Sequence, residues 1–258
     1  MDFPFELRDN RIWVEVNLKG ATKFGILDTG ADGTAVDQGL SEELGLKRGK
    51  IQSATSVAGN LEVTKTDPIE FGLGTMSLTA DEANILPLST NIKELSFVLG
   101  FDALKKTPFT IDYSKNLLQF GSVPEGISVQ FMLDKDTRPT TELKVAGAAV
   151  AAMLDTGSAA GIIFPVSWVK KNLAELALGE PQKRAILGSE YESQKFILKE
   201  VLLGGTSLPK VEAQAVAAEE GSFGDQEDNL ATIGNPVLRM FRQVGIDGER
   251  KVITFVRR

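Results

Sequence analysis

Phe24-Gly25-Ile26-Leu27-Asp28-Thr29-Gly30-Ala31-Asp32 and Val150-Ala151-Ala152-Met153-Leu154-Asp155-Thr156-Gly157-Ser158 are the stretches that decide how this chain folds. Each is an apolar run that ends in Asp-Thr-Gly. At average composition a chain of this length holds that tripeptide about 0.05 times by chance, so two copies in matched surroundings ask for a common cause. A carboxylate at the end of a buried strand is costly unless it is hydrogen-bonded or used. Asp28 alone would pass as the capping residue of a strand–turn junction. One such carboxylate in each half of the chain points instead to a pair that meets across an interface.

The repeat runs well beyond the tripeptide. Shifting Arg11–Gly30 by 127 residues lays it on Arg138–Gly157 with eight identities in twenty positions: Arg11/Arg138, Glu15/Glu142, Gly20/Gly147, Ala21/Ala148, Leu27/Leu154 and the Asp, Thr and Gly themselves. In both copies a Gly precedes the Asp by eight residues, which predicts a hairpin turn feeding the strand that carries the carboxylate. Further along, Val98-Leu99-Gly100 matches Thr232-Ile233-Gly234, and Ile111-Asp112 with Phe120 matches Ile246-Asp247 with Phe255. One unit is used twice, which is too few copies for a solenoid and fits a pseudo-two-fold pair.

Composition agrees. A chain of 258 residues with 42% apolar and 24% charged side chains is globular and suits two units of about 125–130 residues each. The net charge of −7 offers no basic face to nucleic acid. The longest apolar run, Val145–Leu154, falls short of the ~18 residues that span a bilayer, so no membrane insertion is expected. With no Cys there is no disulfide framework or thiol chemistry. With no His the Ser-His-Asp, Cys-His and usual His-based zinc arrangements are excluded, leaving hydrolytic chemistry to carboxylates, Lys or Tyr. Met1-Asp2-Phe3-Pro4 has neither a basic n-region nor an apolar h-region, so no signal peptide is visible. The compartment stays open: periplasmic or secreted if a leader was removed, cytoplasmic otherwise.

The pattern along the chain is mainly β. Arg11–Leu18 alternates, with Ile12, Val14, Val16 and Leu18 on one face. Phe71–Leu78 and Asn116–Phe120 read as short strands, with turn signals at Gly59-Asn60, Gly72 to Gly74 and Gly204-Gly205. A helix is expected from a Ser167 cap through Val169, Leu173 and Leu176 to Gly179, with shorter ones over Gly39–Leu46 and Phe101–Lys106. Glu219–Asp228 reads as a solvated loop without EF-hand spacing. Gly72-Leu73-Gly74 lacks the third glycine of a dinucleotide loop. Asp28 and Asp32 are four residues apart, where a phosphatase aspartate motif has two.

These motifs resemble the retropepsin-like and pepsin-like aspartic proteases over nearly the whole chain. Leu27-Asp28-Thr29-Gly30-Ala31-Asp32 is similar to the retropepsin active-site loop, and Leu154-Asp155-Thr156-Gly157-Ser158 to the pepsin form. Val98-Leu99-Gly100 and Thr232-Ile233-Gly234 look like the family's apolar-apolar-Gly segment behind that loop. The resemblance implies a bilobal acid-protease fold of bacterial type: two pseudo-two-fold-related β-barrel-like lobes with short helices, 1–124 and 125–258. Because one chain supplies both lobes, a monomer is expected.

It also implies the chemistry. Two adjacent carboxyls cannot both ionise, so they share a proton and their apparent pKa values split; pepsin is the standard example of such a dyad. Asp28 and Asp155 would be catalytic, the ionised one activating a water and the protonated one bonding the scissile carbonyl, with no metal or cofactor. Thr29 and Thr156 would tie the loops together through their hydroxyls, while Gly30 and Gly157 let the backbone approach the carboxylates. Ser158 offers a hydroxyl that Ala31 lacks, so Asp155 is expected to be the more acidic partner, with an activity optimum at about pH 4–6. A polypeptide substrate would lie in the interlobe cleft under a flap formed by Ile51–Thr66 and tipped at Ala58, Gly59 and Asn60. That flap lacks the tyrosine of pepsin-like enzymes, since the only tyrosines are Tyr113 and Tyr191. Tyr191 lies beside a possible second flap near Leu187-Gly188-Ser189-Glu190. The alternative function is a catalytically idle relative that binds peptides in the same cleft.

Overall fold

The structure, a computed structural model, describes residues 1–56, 59–134, 137–186, 189–217 and 230–258. It is mainly β, 56% strand and 11% helix, with a closed six-strand barrel and a half-barrel sheet. Each half of the chain builds one of these, and a third sheet joins the halves.

The hairpin that carries each Asp-Thr-Gly forms as its spacing predicts. Arg11–Leu18 pairs antiparallel with Ala21–Leu27, and Arg138–Val145 pairs with Ala148–Asp155. The two-residue turns are Lys19-Gly20, at φ 51° and 87°, and Ala146-Gly147, at φ 49° and 84°. Positive φ at both central residues matches the right-handed twist of the strands, and glycine takes the second position without strain. Period-two alternation then sorts the side chains. Val14, Val16, Leu27 and Leu99 enter the main core, while Trp13, Ile26, Ala35 and Val98 form a second cluster with Leu88 and Leu95. Trp13 is thus buried on the face of its strand opposite Ile12, Val14, Val16 and Leu18.

In the second half, Arg138–Val145 also pairs with Val201–Leu203 of the strand Ser189–Leu203. That pairing closes a ring of six strands, Arg138–Val145, Ala148–Asp155, Ala231–Gly234, Ile162–Pro165, Thr206–Ala217 and Ser189–Leu203. In the first half the corresponding contact is a single pair, Asn17 with Gly72, and the sheet stays open. The segment Phe71–Leu78 is a hairpin rather than a strand: Ile69–Leu73 and Met76–Ala80 fold back at Gly74, whose φ is 53°.

The third sheet runs Asp2–Pro4, Leu117–Phe120, Phe109–Asp112, Gln243–Asp247, Val252–Val256, Ile127–Gln130. Its two middle strands are repeat equivalents. They pair antiparallel with Phe109 opposite Ile246 and Ile111 opposite Val244, a self-complementary register of the kind a two-fold axis generates. Asp112 and Asp247 hold matching turns: the backbone N–H of Ser114 and Lys115 donates to Asp112 Oδ1, and that of Arg250 to Asp247 Oδ1.

The helices are short. Gln38–Glu43 begins at Asp37, whose carboxylate accepts the Gly39 N–H at 3.0 Å. The expected 167–179 helix spans only Val166–Asn172, starting after Pro165. It ends there because Leu173 and Leu176 close a separate turn and Gly179 is bonded to Lys195 of the neighbouring strand. Leu173 and Leu176 still pack against the core. Among the described residues no helix is long and apolar enough to cross a membrane.

Candidate active site

Asp28 follows the strand Ala21–Leu27, and Asp155 ends the strand Ala148–Asp155. Behind each loop runs the strand holding the apolar-apolar-Gly segment. Leu95–Leu99 lies parallel to the first, and Ala231–Gly234 parallel to the second. The N–H of Phe101 donates to Ala31 O at 2.9 Å, and that of Asn235 to Ser158 O at 3.0 Å, so repeat-equivalent residues hold both loops in the same way. In the first half a further pin is Asp102, whose Oδ1 accepts both the backbone N–H and the hydroxyl of Thr34 at 2.8 Å.

The two loops meet tip to tip. Each threonine hydroxyl accepts the other threonine's N–H at 3.1 Å. Thr29 Oγ1 donates to Leu154 O and Thr156 Oγ1 to Leu27 O, both at 2.7 Å. Both side chains are fully buried, so water cannot compete for these bonds. The glycines cross in the same manner. A Cβ on Gly157 would lie 2.4 Å from Asp28 Cγ, and one on Gly30 would lie 2.5 Å from Asp155 Cγ. Only a residue without a side chain lets each loop's backbone close against the opposite carboxylate.

The carboxyls of Asp28 and Asp155 hydrogen-bond each other. Asp28 Oδ1 also accepts the N–H of Gly30 at 2.9 Å and of Ala31 at 3.0 Å. Asp155 Oδ1 accepts the N–H of Ser158 at 2.8 Å, and the Gly157 N–H adds to it. Burial raises the pKa of Asp28, with Asp155, the loop N–H groups and Arg11 pulling it back. Burial raises Asp155 well above the ordinary carboxylate range, and the neighbouring Asp28 raises it further. Two half-buried carboxyls set against each other hold one proton between them.

Ser158 meets Asp155 by another bond than the expected hydroxyl one. Its contact with Asp155 comes from the backbone N–H, a bond that Ala31 supplies equally to Asp28. Ser158 Oγ lies 3.0 Å from where a Cβ on Gly234 would be. Among the described residues it makes no hydrogen bond to Asp155.

No protein-family model matches the chain, and no curated protein does.

Of the expected flap, the strands Arg48–Ser56 and Gly59–Thr66 form an antiparallel hairpin that pairs Ser56 with Gly59 and Thr55 with Asn60. Ala58 lies outside the described residues, as do Leu187 and Gly188 of the second hairpin and the 219–228 loop. The second hairpin's strands, Gln182–Ile186 and Ser189–Leu203, pair in the same antiparallel sense. Among the described residues no cluster of three or more acidic side chains is arranged to hold a metal ion.

A group of residues with no role assigned from sequence clasps the second loop. Arg11 Nε donates to Gly157 O at 2.9 Å, and Asn10 Nδ2 to Ala159 O at 3.4 Å. Asn235 Nδ2 donates to Asn10 O at 2.8 Å, and Tyr113 Oη donates to Asn235 Oδ1 at 2.6 Å. The identity of Arg11 with Arg138 in the repeat was the available signal. The asparagines leave none, because their repeat partners differ.

Proposed function

We propose that the chain is an aspartic endopeptidase of the retropepsin-like and pepsin-like kind, with two pseudo-two-fold-related lobes, 1–124 and 125–258. Its substrate would be a polypeptide bound between the lobes under the hairpin of Arg48–Ser56 and Gly59–Thr66. The observation that carries this reading is the meeting of two half-buried, repeat-equivalent carboxyls that hydrogen-bond each other, each with the opposite loop's glycine against it. A purely structural role would not require two carboxylic acids in a spot where their mutual repulsion has to be relieved by a proton.

The chemistry follows from one shared proton, assigned in this reading to Asp155. Ionised Asp28 takes a proton from a water between the carboxyls as the water oxygen bonds to the scissile carbonyl carbon. Asp155 gives its proton to the carbonyl oxygen, leaving a neutral gem-diol. Asp28 then returns its proton to the amide nitrogen as the C–N bond breaks, and Asp155 recovers a proton from the diol hydroxyl. Charge is never created alone, and no covalent enzyme intermediate forms. The paired threonines contribute rigidity, holding the acids within the narrow tolerance that such transfers need.

The test is incubation of a denatured protein with the chain across about pH 3–8, with and without a statine-containing peptide. Cleavage blocked by the statine peptide is the expected result. Tight statine binding without cleavage at any pH would identify an idle peptide binder and overturn the enzymatic reading.

A further inference from the structure

The dyad sits on a near-perfect local symmetry, and symmetric surroundings cannot decide which acid is the base. The asymmetry comes from the hairpins that precede the two catalytic strands. In the first half, Glu6–Arg8 and Arg11–Leu18 pair Arg8 with Arg11 around a two-residue turn, Asp9-Asn10, at φ 48° and 60°. Asp and Asn tolerate that conformation better than most residues. The short turn delivers Arg11 to the second loop, where its Nε bonds Gly157 O. In the second half the equivalent pairing is Asp134 with Arg138, one residue wider. Arg138 is buried and closes an ion pair with Asp134 four residues before it. Two arginines that match in the repeat therefore end in different places. Arg138 is neutralised by an adjacent acid, while among the described residues no carboxylate pairs with Arg11.

The residue that Arg11 holds is the one whose backbone abuts Asp28. Arg11 thus fixes the wall of the Asp28 carboxyl and brings a lasting positive charge to that side of the pair. The charged groups facing Asp28 are Asp155 from the opposite loop and Arg11, the other contacts being the N–H groups of Gly30 and Ala31. Asp155 is faced by Asp28 and by the N–H groups of Gly157 and Ser158.

Building on the dyad reading, we propose that Arg11 is the positioning residue that breaks the symmetry of the pair, making Asp28 the ionised base and leaving the shared proton on Asp155. It does so through Gly157 and through its charge, without touching the reacting atoms.

Two measurements test this. The first is carboxyl 13C NMR titration of the wild-type chain and of Arg11→Met, with Asp28→Asn and Asp155→Asn used for assignment. Asp28 should ionise first in the wild type, and its midpoint should rise by about half to one pH unit in Arg11→Met. Asp155 ionising first in the wild type, which needs no variant to fold, would overturn the proposal. So would an unmoved Asp28 midpoint in a folded Arg11→Met. The second is the pH profile of kcat/KM. Arg11→Met should move the acid limb to higher pH by more than the alkaline limb, and Arg11→Lys, which keeps the charge, should restore most of the shift. A lower kcat with both limbs in place would leave Arg11 a merely structural role. Failure of the wild type to cleave any substrate would instead remove the enzymatic reading, with the titration still deciding what Arg11 does.

Discussion

Thr29 and Thr156 each accept the other's backbone N–H at 3.1 Å, and each donates its hydroxyl to the strand that carries the other's aspartate. Four bonds made by two buried side chains join the halves of the chain where the acids meet. The geometry is possible only because equivalent residues approach a common axis. The tie between the halves and the setting of the dyad are therefore one feature.

Thr29→Val should be strongly destabilising. It leaves the buried Thr156 N–H and Leu154 C=O without partners, at about 1–3 kcal/mol each, or roughly 2–6 kcal/mol together. Thr29→Ser keeps the hydroxyl and should lie within about 1 kcal/mol of wild type. Urea unfolding of both variants checks this, and equal losses would mean that the hydroxyl bonds contribute little.

Ala146 offers a test of the local rules. It occupies the first position of its hairpin turn at φ 49°, where an L-residue with a Cβ loses about 1–2 kcal/mol per residue. Asparagine is better suited to that position. Ala146→Asn should raise stability by about 0.5–1 kcal/mol without altering activity, since the turn lies at the far end of the strand from Asp155. A neutral or lower urea midpoint would contradict the turn assignment.

The dyad should also make stability depend on pH. Asp155 keeps its proton in the folded chain well above 3.8, the ordinary value at which the unfolded chain releases it. Between those two pKa values the folded state binds more protons, so stability falls as pH rises through that window. Asp155→Asn cannot ionise and relieves its neighbour. Its thermal midpoint should match wild type near the ordinary carboxylate pKa and pull ahead as pH rises. Melting curves that stay parallel across pH would mean that the pair carries no excess proton.

Much of this fold can be read from the repeat. Both Asp-Thr-Gly hairpins, their glycine turns and the meeting of Asp28 with Asp155 follow from matching residues at constant spacing. Closure of the six-strand barrel in the second half does not, because it depends on Val201–Leu203 reaching Arg138–Val145, a long-range pairing without local signature. Trp13 stands on the strand face that alternation leaves outside the main core, and only the neighbouring strands reveal that Leu88, Leu95 and Val98 cover it. The helix at Val166–Asn172 stops early because Gly179 is taken by the neighbouring strand, a tertiary contact that outweighs its apolar spacing. At the site, the residue types argued for Ser158 as a donor to Asp155. That its bond to Asp155 comes from the backbone N–H could not be known from them.

The central claim is that Asp28 and Asp155 act as one unit in peptide hydrolysis. Its most direct measurement is turnover of a denatured protein by Asp28→Asn and Asp155→Asn at the wild-type optimum, with circular dichroism to verify folding. Groups that work together are each indispensable, so both folded variants should lose at least about 100-fold in kcat/KM. A wild type that cleaves, alongside either variant retaining more than a few per cent of that rate, would contradict the dyad.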